Sequence, residues 1–582
     1  MKHPVRFLLI LLALLAGGAA HAASLAVDLK GLDGELRRNA LAWLGAPPDS
    51  PQERLNFLVS ARDKVRDSLQ ALGYYRADVD LTVQRTDPVW QLTIEVDPGA
   101  PVRVRNLSVQ LLGQAAADEA FADLLTQPDI TSGEVLHHGR YEHLKKRLLA
   151  LGQQRGYLQG ELVTSRVEVE AGGGTADIHL AYQSGPRYRF GRLVFADHQI
   201  DEALLKSLRT FREGDYFEQS ALQSYQAQLQ RTGYFSSVIV QPQPAQAETG
   251  RVPVAVQLHP AERHSFDVGV GYSTDTEERV TLTWRTPRIN RFGHSQITRL
   301  EYSPINPSGR LTYNIPLTHP LDDVLQLWAR AEDDEFGDVD SRQQELGMRR
   351  DIHRDKWLFG YALRALNESW DVAGESAEND YLLLGGTLSR RDRMGSVVDP
   401  RGGFSQVYTL EAGSEQAGSD VDLVRLTADW RSILTPLPRH RIVARVSAGI
   451  AETPTGGGDQ LAPSLKFFAG GSQSIRGFSY NSVGDEVRVK QPDGSTRTLV
   501  VGGDRLLTGS LEYQYYVTDK WRGAVFFDAG DAFNEGDFNL NYAPGFGVHY
   551  LTPVGAIRFE LANSLSERNP SWQWHLTIGA EF

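Results

Sequence analysis

The chain has 582 residues, a formal net charge of −13 and no cysteine. Without cysteine it is neither a disulfide scaffold nor a thiolate metal protein. The acidic balance argues against a nucleic-acid partner, because nucleic acids are bound mainly through lysine and arginine side chains.

The first 22 residues are typical of a secretory signal peptide. Lys2 and Arg6 precede or flank an uncharged apolar run over residues 7–16, and Ala20 and Ala22 form a small-x-small site. The run is too short to cross a bilayer comfortably as a helix. We therefore expect cleavage after Ala22 and export from the cytoplasm.

Three repeated α+β modules are predicted after the signal peptide. A helix-to-strand junction recurs at Gly73, Gly156 and Gly233, each followed by tyrosine, with a period of roughly 80 residues that is typical of a tandem array. Each glycine stands where a helix C-terminus favours a left-handed residue. The predicted order in every module is strand, helix, helix, strand, strand. The predicted boundaries are 23–99, 100–185 and 186–262.

The long helix of the first module has apolar residues at helical spacing, which predicts one buried face. That face consists of Leu55, Leu58, Val59, Val65, Leu69 and Leu72. A module of this size has room for a small core only, so we expect this face to supply much of it.

Residues 263–582 replace the helical spacing with alternation of apolar and polar residues, which predicts strands with two unlike faces. Sixteen candidate strands begin near Ser265, Val280, Gln296, Arg310, Val324, Gln343, Trp357, Tyr381, Phe404, Leu423, Arg441, Leu506, Trp521, Ala543, Ala556 and Gln573. An even number of such strands is typical of an antiparallel transmembrane β-barrel. The barrel must close, because an open sheet edge in lipid would leave backbone groups without partners.

One connection interrupts the regular strand spacing, over about residues 451–505. Long loops in compact folds are usually functional or disordered. We expect this one to be an extracellular loop that folds back into the barrel lumen.

Two short motifs follow in and after this loop. The first consists of Phe468, Gly470, Gly471, Ile475, Arg476, Gly477 and Phe478, and the second of Phe526, Asp528 and Gly530. A wide barrel cannot fill its interior with apolar side chains, so the loop needs polar contacts. The guanidinium of Arg476 is suited to bidentate carboxylate binding. We predict that Arg476 binds carboxylates on the barrel wall.

The last strand alternates without a break from Trp572 to Phe582, with apolar Trp574, Leu576 and Ile578 between polar neighbours. A chain that ends on such a strand, with no polar tail, is typical of the closing strand of an outer-membrane barrel.

These motifs, behind three modules and before a terminal phenylalanine, resemble the outer-membrane insertase and translocator superfamily. Its members join periplasmic POTRA modules to a sixteen-stranded barrel. The resemblance implies a location in the outer membrane with the modules in the periplasm, and it implies the loop anchor of Arg476, Asp528 and Glu512. It implies no catalytic group, cofactor or metal.

Members of the superfamily differ in their number of POTRA modules. A chain with three modules resembles the TamA family, the outer-membrane subunits of translocation and assembly modules. That resemblance implies a TamB-like partner anchored in the inner membrane. It also implies unfolded outer-membrane protein clients, such as autotransporters, and contact with outer-membrane lipid, including a role in lipid transport. The alternative is a two-partner-secretion translocator that exports an unfolded protein through the barrel.

A protein of this kind needs an exposed strand edge to act without ATP. The first barrel strand contains Gly269 and Gly271, which weaken side-chain packing and permit bending. We hypothesise a gate between this strand and the last one, at Trp572, Ile578 and Phe582. Alternatively, the two glycines only accommodate curvature.

Two further classes of protein remain less favoured. A porin would share the barrel but would need neither the modules nor the loop motif. An enzyme would need a catalytic motif, and the sequence has no Gly-x-Ser-x-Gly, phosphate-binding Gly-x4-Gly-Lys or His-Glu-x-x-His motif.

Overall fold

The computed structural model describes residues 24–579 apart from 49, 87–88, 171, 173, 197, 276, 373, 397, 455–459, 491–494 and 554. The predicted signal peptide and Phe582 therefore lie outside the described residues. The chain divides into two compact units. The first holds the first two modules and part of the third, and the second holds the rest of the third module and residues 257–582. No α-helix within the described ranges combines the length and the apolar character needed to cross a bilayer.

Each module has the predicted order of elements. The first is β1 (Ser24–Lys30), α1 (Gly34–Leu44), α2 (Pro51–Gln70), β2 (Asp78–Thr86) and β3 (Val89–Asp97). The second is β4 (Arg103–Leu112), α3 (Glu119–Thr126), α4 (His138–Gln154), β5 (Glu161–Glu170) and β6 (Thr175–Gln183). The third is β7 (Arg189–Phe195), α5 (Glu202–Ser207), α6 (Gln219–Arg231), β8 (Phe235–Pro242) and β9 (Arg251–Pro260). The last strand of each module is central in its sheet, in the orders β1-β3-β2, β4-β6-β5 and β7-β9-β8.

The three junction glycines have the predicted left-handed backbone, with φ of 92° at Gly73, 88° at Gly156 and 73° at Gly233. At Gly73 a side chain is also excluded, because an added Cβ would lie 2.3 Å from the carbonyl oxygen of Leu136 in the second module. The backbone N–H of Val102 donates to the carbonyl of Gly73 at 2.9 Å. The first glycine thus ends a helix and forms the joint with the next module.

The predicted apolar face of α2 is partly wrong. Val65 and Leu69 are fully buried, but Leu55 is 49% exposed and Val59 is 80% exposed. Phe57 and Ala61 take their place in the core. Leu55 and Val59 are two residues away from Phe57 and Ala61, which is about half a helical turn. The buried face therefore runs through Phe57 and every fourth residue after it.

The sixteen predicted barrel strands are confirmed, and each predicted start lies inside a different strand. They are β10 (Ser265–Ser273), β11 (Glu277–Thr286), β12 (Ser295–Tyr302), β13 (Ser308–His319), β14 (Asp323–Phe336), β15 (Val339–Arg354), β16 (Trp357–Val372), β17 (Glu375–Gly395), β18 (Pro400–Gly413), β19 (Leu423–Leu437), β20 (His440–Glu452), β23 (Arg505–Tyr516), β24 (Trp521–Phe533), β25 (Asn541–Thr552), β26 (Gly555–Asn563) and β27 (Trp572–Gly579). They form a closed barrel in chain order.

Strand alternation sorts the side chains between lipid and lumen. In β24, Val525 and Phe527 are 55% and 50% exposed, whereas Phe526 and Asp528 between them are buried. A strand places neighbouring side chains on opposite faces, so the exposed set faces lipid and the buried set faces inward.

The long connection runs from the end of β20 at Glu452 to the start of β23 at Arg505. It contains a hairpin that the sequence analysis did not predict, β21 (Glu486–Lys490) paired with β22 (Thr496–Val500). Its apolar side chains, including Leu465, Phe467 and Ile475, are buried in one cluster with Phe526 of the wall. The loop is thus packed against inward-facing residues of the barrel.

Candidate functional site

The guanidinium of Arg476 is the centre of a buried polar cluster. Its side chain is 2% exposed, and that of Asp528 is fully buried. Nε donates to Oδ2 of Asp528 at 2.7 Å, and Nη2 donates to Oδ1 at 2.9 Å. The backbone N–H of Arg476 donates to the same Oδ2 at 3.0 Å. The structure thus brings Arg476 and Asp528 together in a bidentate pair.

The remaining guanidinium donors also have acceptors. Nη1 of Arg476 donates to Glu512 at 2.6 Å and to Glu560 at 2.9 Å. Nη2 makes a second bond to the hydroxyl of Ser510 at 3.2 Å. The ring of Phe526 lies 3.3 Å from Cζ. All five N–H donors of this side chain are therefore satisfied, and one face of it is covered by an aromatic ring.

Three carboxylates surround this one cation, and further basic groups lie beside them. Nε2 of His549 is 3.1 Å from Oε1 of Glu560. Nη1 of Arg445 donates to the carbonyl of Gln473, next to the anchor in the loop, at 3.0 Å. Glu512, His549 and Glu560 have ligand atoms close enough together for a metal ion. Both carboxylates already bind the guanidinium of Arg476, which supplies the positive charge at this position.

Gly477 allows the loop to lie against the wall beside the anchor. Its φ is 101°, and an added Cβ would lie 2.8 Å from Cβ of Ala543. A larger residue would therefore need both a strained backbone and a displaced strand.

The other motif residues lie around the anchor. Ile475 is fully buried and Phe478 is 5% exposed, in the same apolar cluster as Phe526. The ring of Phe468 lies 5.6 Å from that of Phe336. Gly470, Gly471 and Gly530 all have positive φ.

The same loop is also attached to the opposite wall of the barrel. The backbone N–H of Ser464 donates to Glu368 on β16 at 3.1 Å, and that of Ala462 donates to the hydroxyl of Tyr381 on β17 at 3.0 Å. Glu368 is fully buried. Because β16 and β17 are several strands away from β24 in the barrel order, the loop crosses the lumen.

The first and last strands make a weak seam. β10 pairs with β11 from Ser265 to Ser273, and β27 pairs with β26 from Trp572 to Gly579. Among the described residues, β10 and β27 share the single pair Ser273–Thr577. Most of the first strand is therefore not paired with the described part of the last one.

The residues predicted for a gate lie along this seam. Gly269, Gly271 and Ile578 line a cavity of about 690 Å³ between β10, β27 and the loop. Trp572 and Ile578 are 60% and 48% exposed. Phe582 lies outside the described residues.

Sequence reasoning missed Glu560 and His575, which are direct partners across β26 and β27. Both are buried, at 3% and 1% exposure. Glu560 could have been found from the sequence, because it is a charged residue between Phe559 and Leu561. Strand alternation places such a residue on the face that points into the lumen. Its contact with a loop far away in the chain was not visible in any local pattern.

Comparisons with known proteins agree with this architecture. The sequence model of the Omp85 superfamily domain matches residues 263–582. The model described as POTRA domain TamA domain 1 matches residues 26–98, and a POTRA model described as a surface antigen variable number repeat matches 188–261.

The chain is 25% identical over 433 residues to the outer membrane protein assembly factor BamA of Nitratidesulfovibrio vulgaris, covering 71% of this chain and 53% of that protein. It thus spans about half the length of this curated relative. A crystal structure of BamA from Haemophilus ducreyi lacking POTRA domains 1–3 is 16% identical, with a TM-score of 0.70, and covers 82% of this chain and 99% of that one. The second likeness shows the shared fold.

The barrel therefore lies in the outer membrane, and its POTRA domains lie in the periplasm. The superfamily model covers more than half of the chain, and its match coincides with the closed barrel. The chain belongs to the Omp85 superfamily.

Proposed function

We propose that the chain is an outer-membrane assembly factor that inserts client β-strands at the seam between β10 and β27. The observation that carries the proposal is the difference in pairing around β10. One edge is paired with β11 along the whole strand, whereas the other is paired with the described part of β27 at Ser273 alone. An unpaired strand edge is a template for adding another strand.

The composition of β10 suits this role. Val268 and Val270 are 72% and 82% exposed, so this strand is not covered by other parts of the described structure. Gly269 and Gly271 alternate with them and leave two successive positions on the inner face without side chains. A client strand could therefore approach the backbone without displacing a packed core.

Arg476 contributes by fixing the shape of the lumen beside the seam. Its contacts to Asp528, Glu512 and Glu560 hold the middle of the loop on β23, β24 and β26. The loop also lines the cavity at the seam through Ser472. We expect the anchor to keep this cavity open to an incoming strand.

The crossing loop disfavours the alternative of export through the barrel. An unfolded chain in transit would have to displace a loop that is held on both walls, at Glu368 and at Arg476. Removing a buried charge from such partners costs about 3–5 kcal/mol. Strand addition at the seam leaves both of these attachments in place.

We further propose that the chain acts in the manner of the TamA family, with a TamB-like partner anchored in the inner membrane. Support comes from the three modules and from the match of residues 26–98 to the first TamA POTRA domain. The clients would be unfolded outer-membrane proteins such as autotransporters, with outer-membrane lipid as a further contact. Co-purification of envelope proteins with the full chain and with a variant lacking residues 24–98 would test the partner.

A reversible disulfide tests insertion at the seam, and the absence of native cysteine makes this test clean. Ser273→Cys combined with Thr577→Cys would join the two strands at their one described pair. We expect oxidation to abolish insertion of a urea-unfolded barrel client into liposomes, and reductant to restore it.

The matched control joins β16 to β17 through Ala362→Cys and Gly385→Cys. These residues are direct partners, and a Cβ at Gly385 would lie 3.7 Å from that of Ala362, a normal disulfide separation. This cross-link should leave insertion unchanged. Full insertion by the oxidised seam variant would contradict the proposal.

A further inference from the structure

Three parts of the chain meet at the outer end of the seam. They are the turn after β10, the last strand β27, and the segment of the loop that precedes and includes the anchor. Oδ2 of Asp275, in the turn, accepts the backbone N–H of Ser472 at 2.9 Å and its hydroxyl at 2.6 Å. Oδ1 of the same carboxylate lies 3.6 Å from Nδ1 of His575 on β27. One carboxylate therefore contacts both the loop and the last strand.

His575 completes this arrangement from the other side. Its Nε2 accepts the backbone N–H of Gly477 at 3.3 Å, so this nitrogen carries no proton. The proton of the neutral ring is therefore on Nδ1, which lies 3.4 Å from the hydroxyl of Thr274 and faces Asp275. The hydrogen-bond network thus assigns the tautomer in which His575 donates towards the first strand and accepts from the loop.

Burial makes these contacts stronger than similar ones on the surface. The His575 side chain is 1% exposed and that of Asp275 is 10% exposed. Burial raises the pKa of Asp275, but the nearby ring of His575 and the hydrogen bonds from Ser472 outweigh this effect and hold the pKa below its ordinary value. The carboxylate is therefore charged, and its hydrogen bonds are of the stronger, charge-assisted kind.

The loop residues in this cluster are those next to the anchor. Ser472 and Gly477 lie on either side of the segment that leads to Arg476, and Gly477 follows it directly. Glu560, which binds Arg476, is the direct partner of His575 across β26 and β27. The outer end of the seam and the anchor are thus connected through one short segment of chain.

We infer that Asp275 and His575 form a latch that holds the outer end of the seam closed and couples its opening to movement of the long loop. This inference rests on the insertion of client strands at the seam proposed above. Full separation of β10 from β27 moves Asp275 away from His575. The strands can then part only if Ser472 leaves Asp275 or Gly477 leaves His575, so opening of the seam frees this loop segment from one of its two contacts there.

The test measures the width of the seam directly, without a client. Spin labels at Glu278→Cys on β11 and Trp574→Cys on β27 report the distance across the outer end of the seam in the full chain. We expect a single narrow distance distribution in the otherwise unaltered protein. Asp275→Asn should add a population at longer distance, because the loss of a charge-assisted hydrogen bond shifts the equilibrium between closed and open seam about tenfold towards the open state.

Asp338→Asn is the matched control. Asp338 is another acidic residue that holds the same loop, accepting from Arg497 at 2.9 Å and from the backbone N–H of Val500 at 2.9 Å. It lies between β14 and β15, away from the seam. We expect this variant to leave the distance across the seam unchanged.

A third label, at Gln473→Cys, tests the coupling, since its mobility should rise together with the seam population in Asp275→Asn. Ser472→Ala, which removes only one donor, should shift both signals in the same direction by less. Resistance of the folded barrel to SDS confirms that each variant folds.

An unchanged distance in Asp275→Asn, a wider seam with an immobile loop label, or an equal response to Asp338→Asn would each overturn the latch. None of these readouts depends on client insertion. The latch and the proposed function can therefore fail separately.

Discussion

The wall at β16–β17 and the seam at β10–β27 belong to one barrel but are closed by different means. β16 and β17 pair without interruption from Trp357 to Val372. The described part of the seam has one backbone pair, and the side chains of Asp275 and His575 join its outer end to the loop. Backbone pairing does not depend on residue identity, whereas side-chain contacts can be removed singly. Among the described strand pairs, the seam between β10 and β27 is therefore the one whose stability a few side chains control.

The largest expected effect follows from removing the anchor. Arg476→Ala would leave Asp528, Glu512 and Glu560 buried without their common cation, which destabilises the barrel by about 3–5 kcal/mol. The temperature at which the folded band is lost in SDS gels should fall clearly. Arg488→Ala, in the exposed hairpin of the same loop, should leave that temperature unchanged. Equal behaviour of the two variants would show that the contacts of Arg476 contribute nothing to the stability of the barrel.

The next effect concerns the approach of the loop to the wall. Gly477→Ala should destabilise the barrel by about 2–3 kcal/mol, because a left-handed backbone and a contact with Ala543 are both strained. Gly536→Ala is the control, since Gly536 has φ of 91° but open space around it. That control should cost about 1 kcal/mol, from the backbone alone. In the same gel assay, the difference in melting temperature between the two variants reports how closely the loop packs against the wall at Gly477.

The smallest expected effect is a pH dependence of the joint between the first two modules. Like the seam, this joint depends on side-chain contacts. Nε2 of His138 lies 2.6 Å from the hydroxyl of Tyr75, and its backbone N–H donates to Ala71 at 2.9 Å. Burial lowers the pKa of His138 below its ordinary 6.5. The separated modules therefore bind a proton more readily, so the joint is at full strength above pH 6.5 and weakens as the pH falls below it.

Hydrogen exchange of the full chain checks this joint. After correction for intrinsic rates, exchange of the His138 amide should accelerate from pH 7 to pH 5. His138→Gln should remove the pH dependence, since glutamine does not titrate. A wild-type rate that is independent of pH would contradict the assignment.

The barrel could be predicted from sequence because it depends on local patterns, whereas the acidic partners of Arg476 were named only through the family resemblance. Alternation located all sixteen strands, and the planar fork of Arg476 indicated a carboxylate partner. The predicted start of β17 lies near Tyr381, but the strand begins at Glu375. Its first residues are mostly polar on both faces, so they lack the alternation from which strands were predicted.

The latch was not predictable because Asp275 and His575 are 300 residues apart in the chain. Asp275 and His575 meet only when the barrel closes, and the register of closure is not encoded in either strand alone. The wrong prediction that Leu55 and Val59 lie on the buried face of α2 has a different cause. Two offset apolar stripes share α2, and only packing in the module selects the one through Phe57.

Photo-crosslinking tests the central claim most directly. A photoreactive residue would replace Val270 on the seam or Leu384 on the wall, which are 82% and 66% exposed. During client insertion, we expect adducts with the client from position 270 and none from position 384. Equal yields at the two positions, or no adduct at position 270 while clients are inserted, would contradict insertion at the seam.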